Sequence, residues 1–231
     1  IGKQFQLDDK DLRIAAFSAF IATKEKRETK YDFCNNPIGF IYTSNLKSHF
    51  KNSNLFINEL IEELRNFDTY WEPFGKSTKK GFQSHNILFN SSSKKLIKLK
   101  SIIMNELDLY YLKFKDENCS FIKKWPSKKD ISGWHVILKQ QGYQKPHMHA
   151  SGWLSGVIYL KVVPSNEKNE GAIEFSLNSK NYYDPSLPKL IHQPKVGDIV
   201  LFPSSLHHRT IPYTADEDRI SISFDLMPDV N

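Results

Sequence analysis

Apolar positions along this chain follow two different periods, and the change falls near residue 131. Before it, they recur at helical spacing. Leu55, Leu60, Ile61, Leu64 and Phe67 mark one amphipathic helix, and Leu96, Leu99, Ile103, Leu107 and Tyr110 mark a second. The stretch DDKDLRIAAFSAFIATKEKRE (8–28) reads as a helix that begins at an Asp cap and dissolves into charge. A short strand is predicted over 38–42, and TKKGFQSHNILF (78–89) reads as a loop entering another strand. After 131 come the short runs WHVILKQ, HMHASG, LSGVIYLKVV, GAIEFSL, GDIVLFPS, LHHRTIP and RISISFDLMP, separated by Gly, Pro, Asn and Asp. That grammar belongs to a β-sandwich, barrel or jelly roll. Helices placed ahead of such strands have to cover an outer face of the sheet. The expectation is an α+β chain by content, with a β core at about 131–228 inside a domain spanning 31–231, and an N-terminal helical segment or linker at 1–30.

Composition narrows the class without naming a function. The chain has 231 residues, 39% hydrophobic and 25% charged, which is enough to bury a core and is not the composition of a disordered segment. No apolar run is long enough to span a bilayer and no export leader is visible, so the expected location is the cytoplasm and no membrane contact is expected. Cys34 and Cys119 lie far apart in sequence without metal-type spacing, in keeping with two ordinary thiols in a reducing compartment. The formal charge of +6 is unevenly divided: residues 1–133 hold 23 Lys/Arg against 16 Asp/Glu, and residues 134–231 hold 9 against 10. Pieces such as KSTKK (76–80) and KKWPSKKD (123–130) could meet nucleic acid, but solvated helix faces and loops explain them as well.

Candidate chemistry gathers in the β half. In QKPHMHASGWLSG (144–156), His147 and His149 are separated by Met148, so on a strand both imidazoles share a face. Alone, His-x-His is too short to specify a site. LFPSSLHHRTIP adds His207 and His208, of which only one can face inward on extended chain. His208 shares its face with Leu206 and Thr210, whereas His207 shares its face with charged Arg209, so parity favours His208 inside. In the last strand Arg219, Ser221 and Ser223 alternate with Ile220, Ile222 and Phe224, which turns a cation and hydroxyls to one side. A buried arginine needs either an internal salt bridge or an anionic ligand. Trp134, Trp153 and Tyr159 read as core, and His49, His85, His135 and His192 as structural.

Taken in order, WHVILKQQGYQKPHMHASGWLSGVIYL (134–160), KVGDIVLFPSSLHHRTIP (195–212) and DRISISFDLMP (218–228) resemble the Fe(II)- and 2-oxoglutarate-dependent oxygenases, in particular a bacterial-type group sometimes found behind tetratricopeptide repeats. The resemblance implies a double-stranded β-helix, buttressed by the N-terminal helices, with Fe(II) and 2-oxoglutarate at one mouth. It implies His147, His149 and His208 as metal ligands and Arg219 with Ser221 as the clamp for the distal carboxylate of 2-oxoglutarate. His149 stands where most relatives carry an acidic ligand, so a neutral imidazole replaces the carboxylate of the two-His-one-carboxylate triad.

The implied activity is hydroxylation of a C–H bond with release of succinate and CO2. Two other readings stay open on the sequence: a three-histidine cupin-like dioxygenase independent of 2-oxoglutarate, and a non-catalytic jelly-roll binding module. The substrate is expected to be a small molecule or peptide that the sequence does not identify, with nucleic acid only weakly supported by the lysine runs, and nothing in the sequence fixes the oligomeric state.

Overall fold

The computed structural model describes residues 11–29, 31–50, 52–165 and 167–229. The part of the N-terminal segment before residue 11 lies outside them. Helix α1 (Leu12–Glu25) starts where the Asp11 side chain accepts from Arg13 N–H and stops at Lys26, whose φ of 49° breaks the helical turn. Its buried residues include Leu12, Ala15, Ala19 and Phe20, which pack on the β core.

The strand expected at 38–42 is displaced. Pro37–Phe40 forms a 3-10 turn, because Pro37 starts it and the Asn36 side chain caps Gly39 N–H. Strand β1 follows at Tyr42–Asn45. Helix α2 (Ser53–Leu64) buries Ile57, Leu60 and Leu64, while Leu55 is 56% exposed and Phe67 lies beyond the helix end. Helix α3 (Lys94–Phe114) buries the whole predicted stripe from Leu96 to Tyr110. Between these helices, β2 (Thr69–Trp71) and β3 (Thr78–Ser84) form a hairpin where only a loop and one short strand were expected.

The runs WHVILKQ and HMHASG are not two strands. Residues Ile131–His147 form a single strand, β4, that ends on the first histidine. The remaining strands are β5 (Leu154–Lys161), β6 (Ile173–Ser176), β7 (Lys189–His192), β8 (Asp198–Pro203), β9 (His207–Thr210) and β10 (Arg219–Leu226). All their pairings are antiparallel, in the order β1-β8-β5-β10-β4-β9-β6-β7, with the β2–β3 hairpin added to β4. The first half of β4 pairs with β10, and its end pairs with β9 across a register shift between Gln144 and His147. One bent strand thereby joins two halves of a curled sheet, which is the double-stranded β-helix.

Strand β10 shows how sequence period becomes architecture. Ile222, Phe224 and Leu226 point outward into a core shared with Leu60, Leu99, Ile103 and Tyr110 of the two helices. Arg219, Ser221, Ser223 and Asp225 alternate with them and face into the β-helix, all of them buried. Gly156 on β5 is required here: a Cβ at that position would lie 2.2 Å from the Phe224 ring.

Candidate metal and cosubstrate site

His147 and His208 are directly opposed in the β4–β9 ladder, and their rings lie 4.3 Å apart. His149 sits two residues past the end of β4, not on a strand, yet its ring comes within 5.2 Å of His147 and 5.1 Å of His208. One ligand nitrogen from each of the three falls within 4.8 Å of the others. Met148 between them packs against the helix-side core, as expected for a residue turned away from the pair. His207 stays out of the cluster and lines outer grooves with its ring 5.9 Å from Tyr182.

The hydrogen bonds fix which nitrogen of each ring is available. His147 Nδ1 lies 2.7 Å from Lys145 O, and His208 Nδ1 lies 3.1 Å from Leu206 O. A carbonyl can only accept, so Nδ1 donates in both rings and Nε2 keeps its lone pair, which in His147 accepts from the Ser77 hydroxyl at 3.1 Å. Burial and the neighbouring imidazoles push the His147 pKa down to about 3 and hold that of His208 well below the usual histidine range. Both rings are therefore neutral near pH 7, the form that binds metal.

For His149 the partner of Nδ1 is a carboxylate. Asp225 Oδ1 lies 2.6 Å from it, and Ser155 Oγ donates to the same oxygen at 2.7 Å. Ser155 is 2.8 Å from Ser204 Oγ in turn, and Ser204 O accepts from His149 N–H at 3.0 Å. Gly152 leaves space for this knot, since a Cβ there would stand 2.7 Å from Ser204 Oγ and 3.0 Å from Asp225. Sequence reasoning stopped at Ser223 and missed Asp225. Two more steps along the same alternation place it on the face of Arg219.

At the other end of that face, Arg219 is 2% exposed. Its Nε donates to Gly171 O at 3.2 Å, its guanidinium lies 4.9 Å from the Tyr159 ring centre, and no carboxylate pairs with it among the described residues. Ser221, one alternation further, is opposite Tyr159 on β5 and equally buried. The Tyr159 hydroxyl is buried beside the Arg219 guanidinium, which can only donate, so its own proton has no acceptor; burial pushes its pKa up to about 12 and keeps it protonated. A buried cation without an anion, beside a buried donor without an acceptor, has the chemistry that fits a carboxylate. Tyr159, read from sequence as core packing, therefore belongs to this slot. Trp134 also contributes more than core: its ring lies 5.5 Å from His149 and lines the groove at the cluster. Trp153 packs between Phe33 and Phe121 away from the site. His49, His85, His135 and His192 lie outside the cluster as expected.

The family model described as "Putative 2OG-Fe(II) oxygenase" matches residues 132–225, which contain the three histidines, Arg219, Ser221 and Asp225. That match spans the β core and less than half of the chain. No curated protein matches the sequence. Among solved structures, a Pseudomonas putida prolyl-4-hydroxylase is 13% identical with a TM-score of 0.56, covering 82% of this chain and 93% of that one. HygX from Streptomyces hygroscopicus, with nickel and 2-oxoglutarate bound, is 14% identical with a TM-score of 0.53, covering 81% and 82%. The α-ketoglutarate-dependent epimerase SnoN of nogalamycin biosynthesis is 14% identical with a TM-score of 0.54, covering 81% and 76%. These likenesses establish the shared fold. Among the described residues, no helix is long and apolar enough to cross a membrane.

Proposed function

We propose that this protein is an Fe(II)- and 2-oxoglutarate-dependent oxygenase that hydroxylates a C–H bond of its substrate, holding Fe(II) on the Nε2 atoms of His147, His149 and His208 and the distal carboxylate of 2-oxoglutarate on Arg219 and Ser221. The observation that carries the reading is the convergence of three imidazoles, two with Nδ1 tied to carbonyls and one to a carboxylate, on the same barrel interior as an unpaired buried guanidinium. Iron and 2-oxoglutarate supply the oxidising power when bound, with 2-oxoglutarate decarboxylated to succinate and CO2 and the oxygen atoms of O2 divided between succinate and product.

The protein's own residues orient and neutralise. Backbone carbonyls at Lys145 and Leu206 hold two rings in the metal-binding tautomer. Asp225 does the same for His149 and places one negative charge a single residue behind the metal position, where most relatives have the carboxylate as ligand itself. Arg219 meets a carboxylate by a planar two-donor contact, and the Tyr159 hydroxyl adds a third donor. That slot counts against the 2-oxoglutarate-independent cupin reading, which has no use for it. The neighbouring fold in a prolyl-4-hydroxylase supports hydroxylation as the outcome. The free thiols of Cys34 and Cys119 fit a cytoplasmic setting, and the catalytic unit is taken as 31–231 with 1–30 as its N-terminal segment.

Anaerobic Fe(II) titration tests the ligand set. Replacing His147, His149 or His208 by Ala should weaken iron binding about 10-fold or more, a loss at or above that of second-shell changes, and His149→Asp should recover much of the affinity. Unchanged iron affinity in a folded His149→Ala protein would remove His149 from the set.

A further inference from the structure

Three grooves open around the histidine cluster, and one of them carries charge of a single sign. One of about 400 Å³, sharing His147 and Met148 with the cluster, is lined by Arg13, Lys76, Lys145 and Lys180 and by no carboxylate. These cations come from four separate stretches of chain: α1, the β2–β3 turn, the end of β4 and the β6–β7 connection. Polar Ser77, Ser179 and Asn181 complete much of the wall. Lys180 also borders a second groove of about 180 Å³, which adds Lys189 and reaches His208.

The cations are not consumed by internal pairing. Among the described residues Lys76, Lys145 and Lys180 have no ion-pair partner, and Arg13 has only a 3.9 Å contact to Asp11 with its side chain 74% exposed. Nearby carboxylates have closer partners: Glu174 has two nitrogens of Arg209, Glu72 has Lys79 and the Lys80 N–H with Lys145 only a weaker, longer-range neighbour, and Asp225 has His149. Two of the four cations, Lys145 and Lys180, come from residues 134–231, which hold 9 Lys/Arg against 10 Asp/Glu. The cosubstrate does not account for the concentration, because Arg219 and Tyr159 are absent from the walls of this groove. A cleft with walls of one sign focuses its field and concentrates ligands of the opposite charge.

We propose that this groove receives the primary substrate as an acidic peptide segment, whose carboxylates lie against Lys76, Lys145, Lys180 and Arg13 while a neighbouring residue is presented to the metal site. The proposal rests on the oxygenase reading above and adds the substrate class. A peptide is favoured over single-stranded nucleic acid because base binding needs free aromatic faces, and the walls of these two grooves offer only the tyrosines Tyr182 and Tyr183. Tyr182 is packed against Phe17 and Phe20 at 5.2 and 4.6 Å, and Lys189 lies 5.8 Å over the Tyr183 ring.

The test is a fluorescence-anisotropy titration of the full chain loaded with Ni(II) and 2-oxoglutarate. The probes are a labelled peptide of alternating Glu, Gly and Ser, the same peptide with Gln or Lys for Glu, and labelled oligo-dT. The Glu peptide should bind at least about 10-fold more tightly than the Gln peptide, and several-fold more weakly as salt rises from 50 to 200 mM, where the screening length shortens. The triple variant Lys76→Glu, Lys145→Glu, Lys180→Glu should abolish the preference, while Lys94→Glu with Lys98→Glu on α3 should leave it intact. Calorimetric 2-oxoglutarate binding should survive in the triple variant, which separates loss of the substrate groove from failure of the cosubstrate site. Equal binding of Glu and Gln peptides, tighter binding of oligo-dT, or loss of 2-oxoglutarate affinity in the triple variant would each overturn the proposal.

Discussion

Replacing Asp225 by Asn isolates the charge behind His149 with little change of shape. Asp225 Oδ1 accepts from His149 Nδ1 at 2.6 Å and from Ser155 Oγ at 2.7 Å, and the two partners' side chains are 14% and 12% exposed. Asn can keep an oxygen in that place and lose only the charge, whereas Ala loses the acceptor and leaves Nδ1 without its strongest partner. A hydrogen bond to a charged group contributes about 1.5–3 kcal/mol, and loss of such an outer partner typically lowers metal affinity about 10–100-fold. The two figures agree, since each tenfold corresponds to about 1.4 kcal/mol. Competitive Co(II) titration against a chelator should therefore show about a 10-fold loss for Asp225→Asn and a loss nearer 100-fold for Asp225→Ala. Near-UV circular dichroism checks folding, and the downfield proton resonance of His149 Nδ1–H should move in Asp225→Asn. If both variants fold and hold cobalt as tightly as the parent, Asp225 is only a packing residue.

Other consequences follow from the same geometry. Arg219→Ala should weaken 2-oxoglutarate binding by calorimetry about 30-fold or more, as expected for truncating one partner of a buried charge pair, with Tyr159→Phe causing a smaller loss and both sparing the metal; unchanged affinity in Arg219→Ala removes the clamp. His208→Ala should lose metal while His207→Ala largely retains it, and the reverse would shift the β9 register by one residue. His135 is fully buried with neither ring nitrogen hydrogen-bonded, and burial pushes its pKa down to about 4. The unfolded chain binds a proton there near pH 6.5 and the folded chain does not. Its stability contribution is thus intact above pH 6.5 and lost as pH falls toward 4, by about 2–3 kcal/mol between pH 7.5 and 4.5. Urea unfolding of metal-free His135→Leu should show a correspondingly shallower acid loss than the parent, and identical slopes would contradict that assignment.

Much of this centre was readable because strand alternation is a local rule. It placed His208 inward and His207 outward, and it set Arg219 and Ser221 on the interior of β10. His149 joins the cluster without it, since that residue lies beyond the strand and is held by Asp225 and Ser204. Asp225 escaped notice because it is 76 residues from its partner, and nothing local to the His-x-His stretch signals a carboxylate. Tyr159 was hidden by its type: an aromatic on an apolar strand reads as packing until its hydroxyl is seen to lack an acceptor beside an arginine. The N-terminal half was less legible. Capping by Asn36 made a 3-10 turn of an apolar run that resembled a strand, and β2 is held by pairing with β3 more than by any period of its own. The bend that makes β4 one strand in two sheet halves is likewise a tertiary feature, invisible in either half of its sequence.

Turnover of 2-oxoglutarate by the iron-loaded protein is the most direct measurement. The chain, purified and loaded with Fe(II) under anaerobic conditions, is exposed to O2 with 2-oxoglutarate, and succinate is quantified alone and with the acidic peptide. Succinate should form slowly without substrate and faster with it, in amounts that require Fe(II) and disappear in His208→Ala and Arg219→Ala. A folded, iron-replete protein that binds 2-oxoglutarate and yields no succinate above these two variants, with or without substrate, would contradict the assignment of His147, His149, His208 and Arg219 as the working centre of an oxygenase.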